Sequence, residues 1–227
     1  MITKTENQKG FTDHRKAGKA LISYGFWLLR PHSHCIKDGT FIEPGCSEHL
    51  LMHRMRRSPA FIKELSMVAA AQGKIVGHIA YTRAAVISAQ GKRQEVVCFG
   101  PLSVLPAFQG RGIGSALVKH TKELAGKMGF GAVLIYGDPL YYERFGFVKA
   151  QLYDICAPDG MYADALQACE LTDGALSGVT GAFHEDEVFD MAQEDVEAFD
   201  LNFPPKEKGF LPSQARFAQV VAMRRPR

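Results

Sequence analysis

The chain has 227 residues, which is long for one average domain but not clearly two, and 46% are hydrophobic and 22% charged, as in an ordinary globular protein. A formal net charge of +3 is too small to indicate nucleic-acid binding, and no apolar run approaches the ~20 residues that span a bilayer. The five scattered cysteines include no Cys-x-x-Cys pair, and the N-terminus lacks the apolar centre of a secretory signal, so we expect a cytoplasmic protein with reduced thiols.

The first part of the chain is the hardest to interpret. Across residues 1–46 apolar runs mix with Gly, Pro and His and no hydrophobic period persists, so we treat them as a divergent N-terminal segment. From Ser47 onward a hydrophobic pattern can be recognised. A partial apolar stripe predicts a helix over residues 47–57, with Ser47 as its cap and Pro59 as its breaker.

Two β-prone runs then predict a hairpin. They cover residues 65–71 and 74–82 and flank a Gln72-Gly73 turn. The second strand can continue to Ile87, where turn-like residues follow. These two strands would form the first well-defined part of a sheet.

A strand, a loop, a helix and a second strand follow in order. Residues 95–106 predict a strand that should bulge or bend at Gly100-Pro101, because proline cannot donate to a ladder. Apolar residues at helical spacing predict a helix over 113–128, and the apolar run 131–137 is typical of a buried strand. The crossover should be right-handed and the two strands parallel.

The last third of the chain is less regular. Asp138-Pro139 should open a short helix that ends at Gly146, and residues 147–155 and 165–176 are plausible late strands. The tail from His184 is acidic at first. It resembles a short helix with an irregular extension, either packed on the domain or serving as an arm for a partner.

A glycine-rich loop between the strand and the helix suggests an anion site. Gly110, Gly112 and Gly114 allow close backbone approach, free N–H groups at the helix N-terminus favour an anion, and Arg111 could add a forked donor. The spacing fits neither the dinucleotide fingerprint nor the P-loop. The loop alone also allows a plain turn that packs the helix on the sheet.

Two motifs in the right order resemble the GNAT N-acetyltransferase superfamily. Gln109, Gly112 and Gly114 match its Gln/Arg-x-x-Gly-x-Gly/Ala pyrophosphate loop, and Tyr142 precedes the pair Gly146-Phe147 as its later tyrosine does. Together they are especially similar to the YhbS-like branch of predicted acetyltransferases. The resemblance covers roughly residues 48–180, whereas residues 1–46 show no clear version of the family's opening strand.

The resemblance implies an α/β (α+β) fold, with a mixed, mostly antiparallel central sheet that contains one parallel pair and is flanked by helices. It implies an acetyltransferase core over 47–183, and a C-terminal extension, 184–227, packed on the same domain. It assigns acetyl-CoA, as co-substrate, to twelve residues: Leu102, Ser103, Val104, Gln109, Gly110, Arg111, Gly112, Ile113, Gly114, Ser115, Tyr142 and Phe145.

The family reaction is direct acyl transfer from acetyl-CoA to a deprotonated amine. The resemblance places backbone donors for the thioester oxygen around residues 101–104 and makes Tyr142 the acid that protonates the CoA thiolate. The base is open. Glu95 lies where some relatives carry a catalytic glutamate but fits a solvated strand end, Asp138 fits a helix cap, and His78 fits a packed strand residue.

The leading hypothesis is therefore an acetyl-CoA-dependent N-acetyltransferase acting on a small-molecule or peptide amine. A longer acyl-CoA and a non-catalytic acyl-CoA-binding module are the alternatives. We expect no bound metal, no nucleic-acid partner and no membrane partner, and we expect the protein to be a monomer or homodimer. His49 and His53 fit paired histidines on a helix surface, residues 32–35 are weak evidence for a metal, and residues 54–57 fit a solvated basic face.

Overall fold

The computed structural model describes residues 10–13, 36–37, 40–41, 47–203 and 212–227. Its α-helices are α1 (Glu48–Met55), α2 (Ile113–Lys127), α3 (Pro139–Tyr142), α4 (Gln193–Asp200) and α5 (Pro212–Ala222). Its strands are β1 (Gly10–Asp13), β2 (Ile36–Lys37), β3 (Thr40–Phe41), β4 (Met67–Ala71), β5 (Lys74–Ile87), β6 (Arg93–Val104), β7 (Ala132–Tyr136), β8 (Val148–Lys149), β9 (Ile155–Cys156), β10 (Met161–Ala163), β11 (Leu166–Glu170), β12 (Gly181–His184) and β13 (Arg224–Pro226).

Nine of the described strands form one large mixed sheet, in the order β1-β4-β5-β6-β7-β11-β8 with β12 beside β5 and β9 beside β12. The strands β2 and β3, and β10 and β13, form two separate two-stranded sheets. Neighbours along this path are antiparallel except β6 and β7, which pair in parallel at Val97 and Val133. The predicted fold class, a mixed, mostly antiparallel sheet with a parallel pair and flanking helices, is confirmed, and a second parallel pair, β9 and β12, lies off this path. None of α1–α5 combines the length and apolar character that a helix crossing a membrane requires.

The turn and the bulge predicted near β5 are both present. Gln72 and Gly73 have φ values of 52° and 73°, the left-handed pair that joins two strands in a tight hairpin. Between β5 and β6 the register shifts, so that Ala80 stands opposite both Gly100 and Pro101. This extra residue bends β6 just before the segment that leads into the glycine loop.

Helix α2 packs one face on the sheet. Ile113, Leu117, Thr121 and Ala125 are buried, as their spacing predicted. The hydroxyl of Thr121 donates to the Leu117 carbonyl at 2.8 Å and lies 2.9 Å from the phenol of Tyr81 on β5. A buried polar contact thus fixes the helix against the strand.

We expect Tyr81→Phe to lower the free energy of unfolding by about 1 kcal/mol, the usual net value of one hydrogen bond. The loss should stay this small because the Thr121 hydroxyl keeps its bond to Leu117 and is not orphaned. Urea unfolding should show a lower midpoint with an unchanged slope. A midpoint equal to that of the wild type would mean that the Tyr81–Thr121 contact adds nothing to stability.

The structure corrects several local predictions. Ser47 is the N-cap residue of α1, but its side chain makes no capping hydrogen bond. Its backbone is already helical (φ −90°, ψ −8°), whereas a capping side chain needs an extended backbone to reach back to the first N–H groups. At the other end of the sheet, β1 pairs with β4, so the N-terminal segment does contain a strand that the sequence did not reveal.

The predicted late strands are shorter than expected. Residues 147–155 contain β8, a 3₁₀ turn over Ala150–Tyr153 and the start of β9, because Asp154 adopts a left-handed conformation (φ 56°) and ends the turn. Only Leu166–Glu170 of the run 165–176 forms a strand. Short edge segments such as these carry little periodicity for a sequence to display.

The described part of the tail contacts the sheet domain at two places. Met191 and the α4 residue Val196 pack against the α1 cluster, and Phe217, Val220 and Val221 of α5 bury Ala165. After α5, β13 pairs with β10. The division into 1–46, 47–183 and 184–227 stays a prediction, and these contacts are those expected of an extension packed on the same domain.

Candidate functional site

A cavity of about 1500 Å³ opens where β6 and β7 end and α2 begins. The segments of β6 and β7 that follow Val97 and Val133 lead into it. Other parts of its wall come from the start of α1, from α3, from residues 184–191 and from α5. Because drug-sized ligands occupy roughly 300–1,000 Å³, this space suits a large ligand together with a smaller one.

The glycine loop presents bare backbone to this cavity. Gly110 and Gly112 both have left-handed φ values, 69° and 74°, and Gly112 is the N-cap residue of α2. The amide of Gln109 donates to the Val104 carbonyl at 3.1 Å and so fastens the loop to the end of β6. The first turn of α2 carries no acidic residue, so its N–H groups and dipole favour an anion.

Gly114 lies at a close approach between α2 and α3. A Cβ at this position would stand 3.2 Å from the phenol oxygen of Tyr141 and 3.7 Å from a methyl of Val104. The first distance is tighter than ordinary packing. A glycine here therefore lets Tyr141 approach the first turn of α2.

Ten of the twelve residues predicted to bind the cofactor line this one cavity: Leu102, Ser103, Val104, Gln109, Gly110, Gly112, Ile113, Gly114, Ser115 and Tyr142. The other two, Arg111 and Phe145, lie elsewhere. The Arg111 guanidinium stacks on the ring of Phe108 at 5.3 Å, and Phe145 is buried in the core with its carbonyl accepting a hydrogen bond from Lys122.

Tyr142 reaches the cavity from α3. The Asp138 side chain caps that helix by accepting from the Leu140 N–H at 3.1 Å, as the sequence predicted. The Tyr142 ring lies against Gly137, where a Cβ would collide with it, and its centroid is 5.8 Å from that of Phe99 and 5.6 Å from that of Phe147. Burial raises the pKa of Tyr142 above its usual value, so the phenol stays protonated at neutral pH.

The three candidate bases have other roles in the structure. Glu95 forms a half-exposed ion pair with Arg83 at 2.8 Å, so it fits a solvated strand end. His78 is buried within β5, and Asp138 caps α3. None of these positions gives a carboxylate or an imidazole that is free to act as a base in the cavity.

A carboxylate that the sequence did not single out does face the cavity. Glu185 follows β12 directly, lines the cavity and accepts a hydrogen bond from the Cys98 thiol at 3.3 Å. Burial raises the pKa of this carboxyl to about 7. In the sequence it was one of several acidic residues in a tail without periodicity, so no local pattern could have distinguished it.

The paired histidines of α1 are not both on the helix surface. His49 is fully buried, with its Nε2 atom 2.7 Å from an Asp200 carboxylate oxygen, and the predicted surface position is wrong for it. His53 stacks on Phe199 at 4.8 Å between ring centroids. Within the described parts of the chain no three His, Cys, Asp or Glu side chains are grouped to hold a metal, and residues 32–35 lie outside those parts.

Comparisons with curated proteins find acetyltransferases. Residues 63–149 match the model of the acetyltransferase (GNAT) domain. The uncharacterized N-acetyltransferase YhbS of Escherichia coli K12 is 34% identical over 117 residues, which are 50% of this chain and 68% of that protein. The uncharacterized N-acetyltransferase YjhQ of the same strain is 36% identical over 98 residues, 43% of this chain and 50% of that protein.

A solved structure agrees with these sequence matches. The crystal structure of YhbS from Escherichia coli, a GNAT family N-acetyltransferase in complex with CoA, superposes with a TM-score of 0.57 at 31% identity. The match covers 64% of this chain and 78% of that one. The sheet order, the glycine loop at the start of α2 and the extent of the YhbS match together show that the chain belongs to the GNAT N-acetyltransferase family.

Proposed function

We propose that this protein is an acetyl-CoA-dependent N-acetyltransferase that transfers the acetyl group directly to a primary amine. The observation that carries the proposal is the single cavity that joins the glycine loop, the bulged end of β6 and Tyr142. The solved YhbS structure, which contains CoA, supports a coenzyme A ligand here. The acceptor is a small-molecule or peptide amine, and the protein acts as a monomer or homodimer.

The loop fits a pyrophosphate. Gly110 and Gly112 hold left-handed backbone and leave no side chain between the loop and a ligand, and the α2 N-terminus adds partial positive charge. Gly114 and Ser115 continue this surface into the helix. The same chemistry would bind another diphosphate, so the neighbouring acyl-transfer groups must decide the function.

The bulged strand suits the thioester. Proline has no N–H, so Pro101 cannot donate a hydrogen bond across the ladder, and the bulge redirects the residues after it toward the cavity. Backbone N–H groups over residues 102–104 are our candidates for polarising the thioester carbonyl. A fixed donor of this kind stabilises the oxyanion without reorganising during the reaction.

Tyr142 is our candidate for the acid. As the amine nitrogen bonds to the acetyl carbon, the C–S bond breaks and its electron pair stays on sulfur. The Tyr142 phenol, protonated at neutral pH, gives its proton to that sulfur. The acylated nitrogen then loses its extra proton and the phenolate regains one, so the products are an amide and the CoA thiol.

We expect purified protein to release CoA thiol from acetyl-CoA only when an amine is added, and the amine to gain the mass of one acetyl group. The panel is spermidine, L-lysine, tyramine, an aminoglycoside and a peptide with a free N-terminus. Butyryl-CoA in parallel tests the longer acyl alternative. Tight acetyl-CoA binding with no amine-dependent thiol release would contradict the proposal and favour the non-catalytic acyl-CoA-binding module.

A further inference from the structure

Glu185 brings a carboxylate to the wall of the cavity from the end of β12. Strand β12 pairs with the last residues of β5, and the chain leaves it at His184. The next residue, Glu185, is partly exposed to the cavity and accepts the hydrogen bond from Cys98 on β6. The tail thus delivers one carboxylate to the strand that carries the bulge.

Glu185 and Tyr142 approach strand β6 from opposite faces, as the position of Cys98 indicates. Cys98 precedes Phe99 on β6, and successive side chains of a strand point to opposite faces. Tyr142 packs on Phe99, so it approaches from the Phe99 face, whereas Glu185 meets the opposite, Cys98 face. Both residues line the same cavity, so an acid for the leaving thiolate and a base for the entering amine would reach it from different sides.

The environment of Glu185 suits a proton acceptor that works near neutral pH. Burial raises the pKa of its carboxyl to about 7, and the Cys98 hydrogen bond opposes this rise in part. The ionisable groups around it include the Cys98 thiol on β6, the Tyr136 phenol on β7 and its chain neighbours His184 and Asp186. The same cavity is also lined by charged side chains of other elements: Glu48, Asp138, Arg144, Asp159, Glu187, Asp190, Arg216 and Arg224. A base is most effective when its pKa lies near the working pH.

We propose that Glu185 is the general base that takes the proton from the acceptor ammonium, a role that rests on the proposed function. The proton passes from nitrogen to the Glu185 carboxylate, and the freed lone pair forms the C–N bond to the acetyl carbon. The electrons of the C–S bond leave on sulfur, which receives the Tyr142 proton. The acylated nitrogen gives its remaining extra proton to the Tyr142 phenolate, which restores the phenol, and Glu185 releases to water the proton that it took.

The test is the pH profile of kcat/KM, measured with acetyl-CoA and the five amines named above. Wild type should show an acidic limb near pH 7 followed by a plateau. Glu185→Gln should lower kcat/KM at least tenfold at pH 7.5. Its kcat/KM should then rise with pH as the free amine accumulates, about tenfold per unit, so the deficit shrinks toward pH 9.5.

Matched variants separate a chemical role from a structural one. Glu95→Gln makes the same change on β6 at a surface ion pair and should keep the wild-type profile. Cys98→Ala removes the donor that favours the carboxylate and should move the acidic limb to higher pH, and Cys98→Ser, which keeps a donor, should move it back. The acetyl-CoA dissociation constant of Glu185→Gln should stay within about threefold of wild type, as expected when the loop is untouched.

The outcomes distinguish this inference from the proposed function. An active wild type with a Glu185→Gln variant that keeps the plateau and the acidic limb overturns the inference alone. The inference would also be overturned if His184→Gln lost the acidic limb while Glu185→Gln kept it. The His184 imidazole would then be the group that accepts the ammonium proton. A wild type that binds acetyl-CoA and acetylates none of the amines refutes the proposed function, and the base falls with it.

Discussion

Gly114→Asp is expected to abolish acetyl-CoA binding, with an affinity loss of at least 100-fold. The substitution places a carboxylate on the first turn of α2, where we place the pyrophosphate, and its Cβ stands 3.2 Å from the Tyr141 phenol oxygen. Like charges at such a site repel with little screening when the ligand excludes water. Gly112→Asp should have the same effect, with added strain from the left-handed φ of 74° at that residue.

The loss should not come from unfolding. A carboxylate in the first turn of a helix gains roughly 0.3–1 kcal/mol from the dipole, and the first turn of α2 has no acidic residue. Gly114→Ala adds the same Cβ without the charge, so it separates steric from electrostatic effects. Gly73→Asp is the control for Gly112→Asp, because Gly73 has nearly the same φ, 73°, in a turn with open space around it.

Isothermal calorimetry with acetyl-CoA measures the effect, and thermal melting checks that each variant folds. We expect Gly114→Ala to bind more weakly than wild type but better than Gly114→Asp. Tyr141→Phe combined with Gly114→Ala should recover part of that loss, since it removes the oxygen that the new methyl meets. Micromolar binding retained by both Asp variants would contradict the assignment of the loop to the pyrophosphate.

The parts of the site that the sequence predicted are those encoded by local patterns. The glycine loop and helix α2 are adjacent in the chain, and the apolar spacing after Gly112 specifies both the helix and its buried face. The bulge follows from Gly100-Pro101, since a proline inside a strand leaves a rung of the ladder without a donor. Each of these features could be inferred without knowing what packs against it.

The parts that could not be predicted depend on contacts between distant segments. Glu185 acquires its raised pKa only through burial in the folded chain, beside a strand whose Cys98 lies 87 positions away in the sequence. His49 is buried because α4 covers α1 with Phe199 and Asp200. Nothing in the local sequence of either residue differs from that of a solvated acid or a surface histidine.

The two sides of the cavity therefore differ in how the sequence specifies them. Its cofactor side is specified by one strand-loop-helix unit and by the Tyr142 motif that follows it, which explains why the family can be recognised from local motifs. Its acceptor side, as we propose it, is assembled from α1, the segment after β12 and α5, which are far apart in the chain. Substrate choice can then vary through the tail while the loop and Tyr142 stay the same.

Tyr142→Phe is expected to lower kcat at least tenfold while the acetyl-CoA dissociation constant stays within about threefold of wild type. Binding should survive because the ring keeps its contacts with Phe99, Phe147 and Gly137. The turnover should fall because the departing thiolate loses its proton donor. Tyr141→Phe, which removes a phenol one residue away on the same helix, should leave kcat within about threefold of wild type.

The raised pKa of Tyr142 sharpens this test. A phenol whose pKa is raised above its usual value of about 10 is a weaker acid toward a thiolate in water, but burial also raises the pKa of a thiol that forms in the same cavity. The pKa values of the phenol and the thiol are then close enough for proton transfer only inside the cavity. Wild-type kcat should consequently show no alkaline fall up to pH 9.5, and either such a fall or an unchanged kcat in Tyr142→Phe would remove Tyr142 from the acid role.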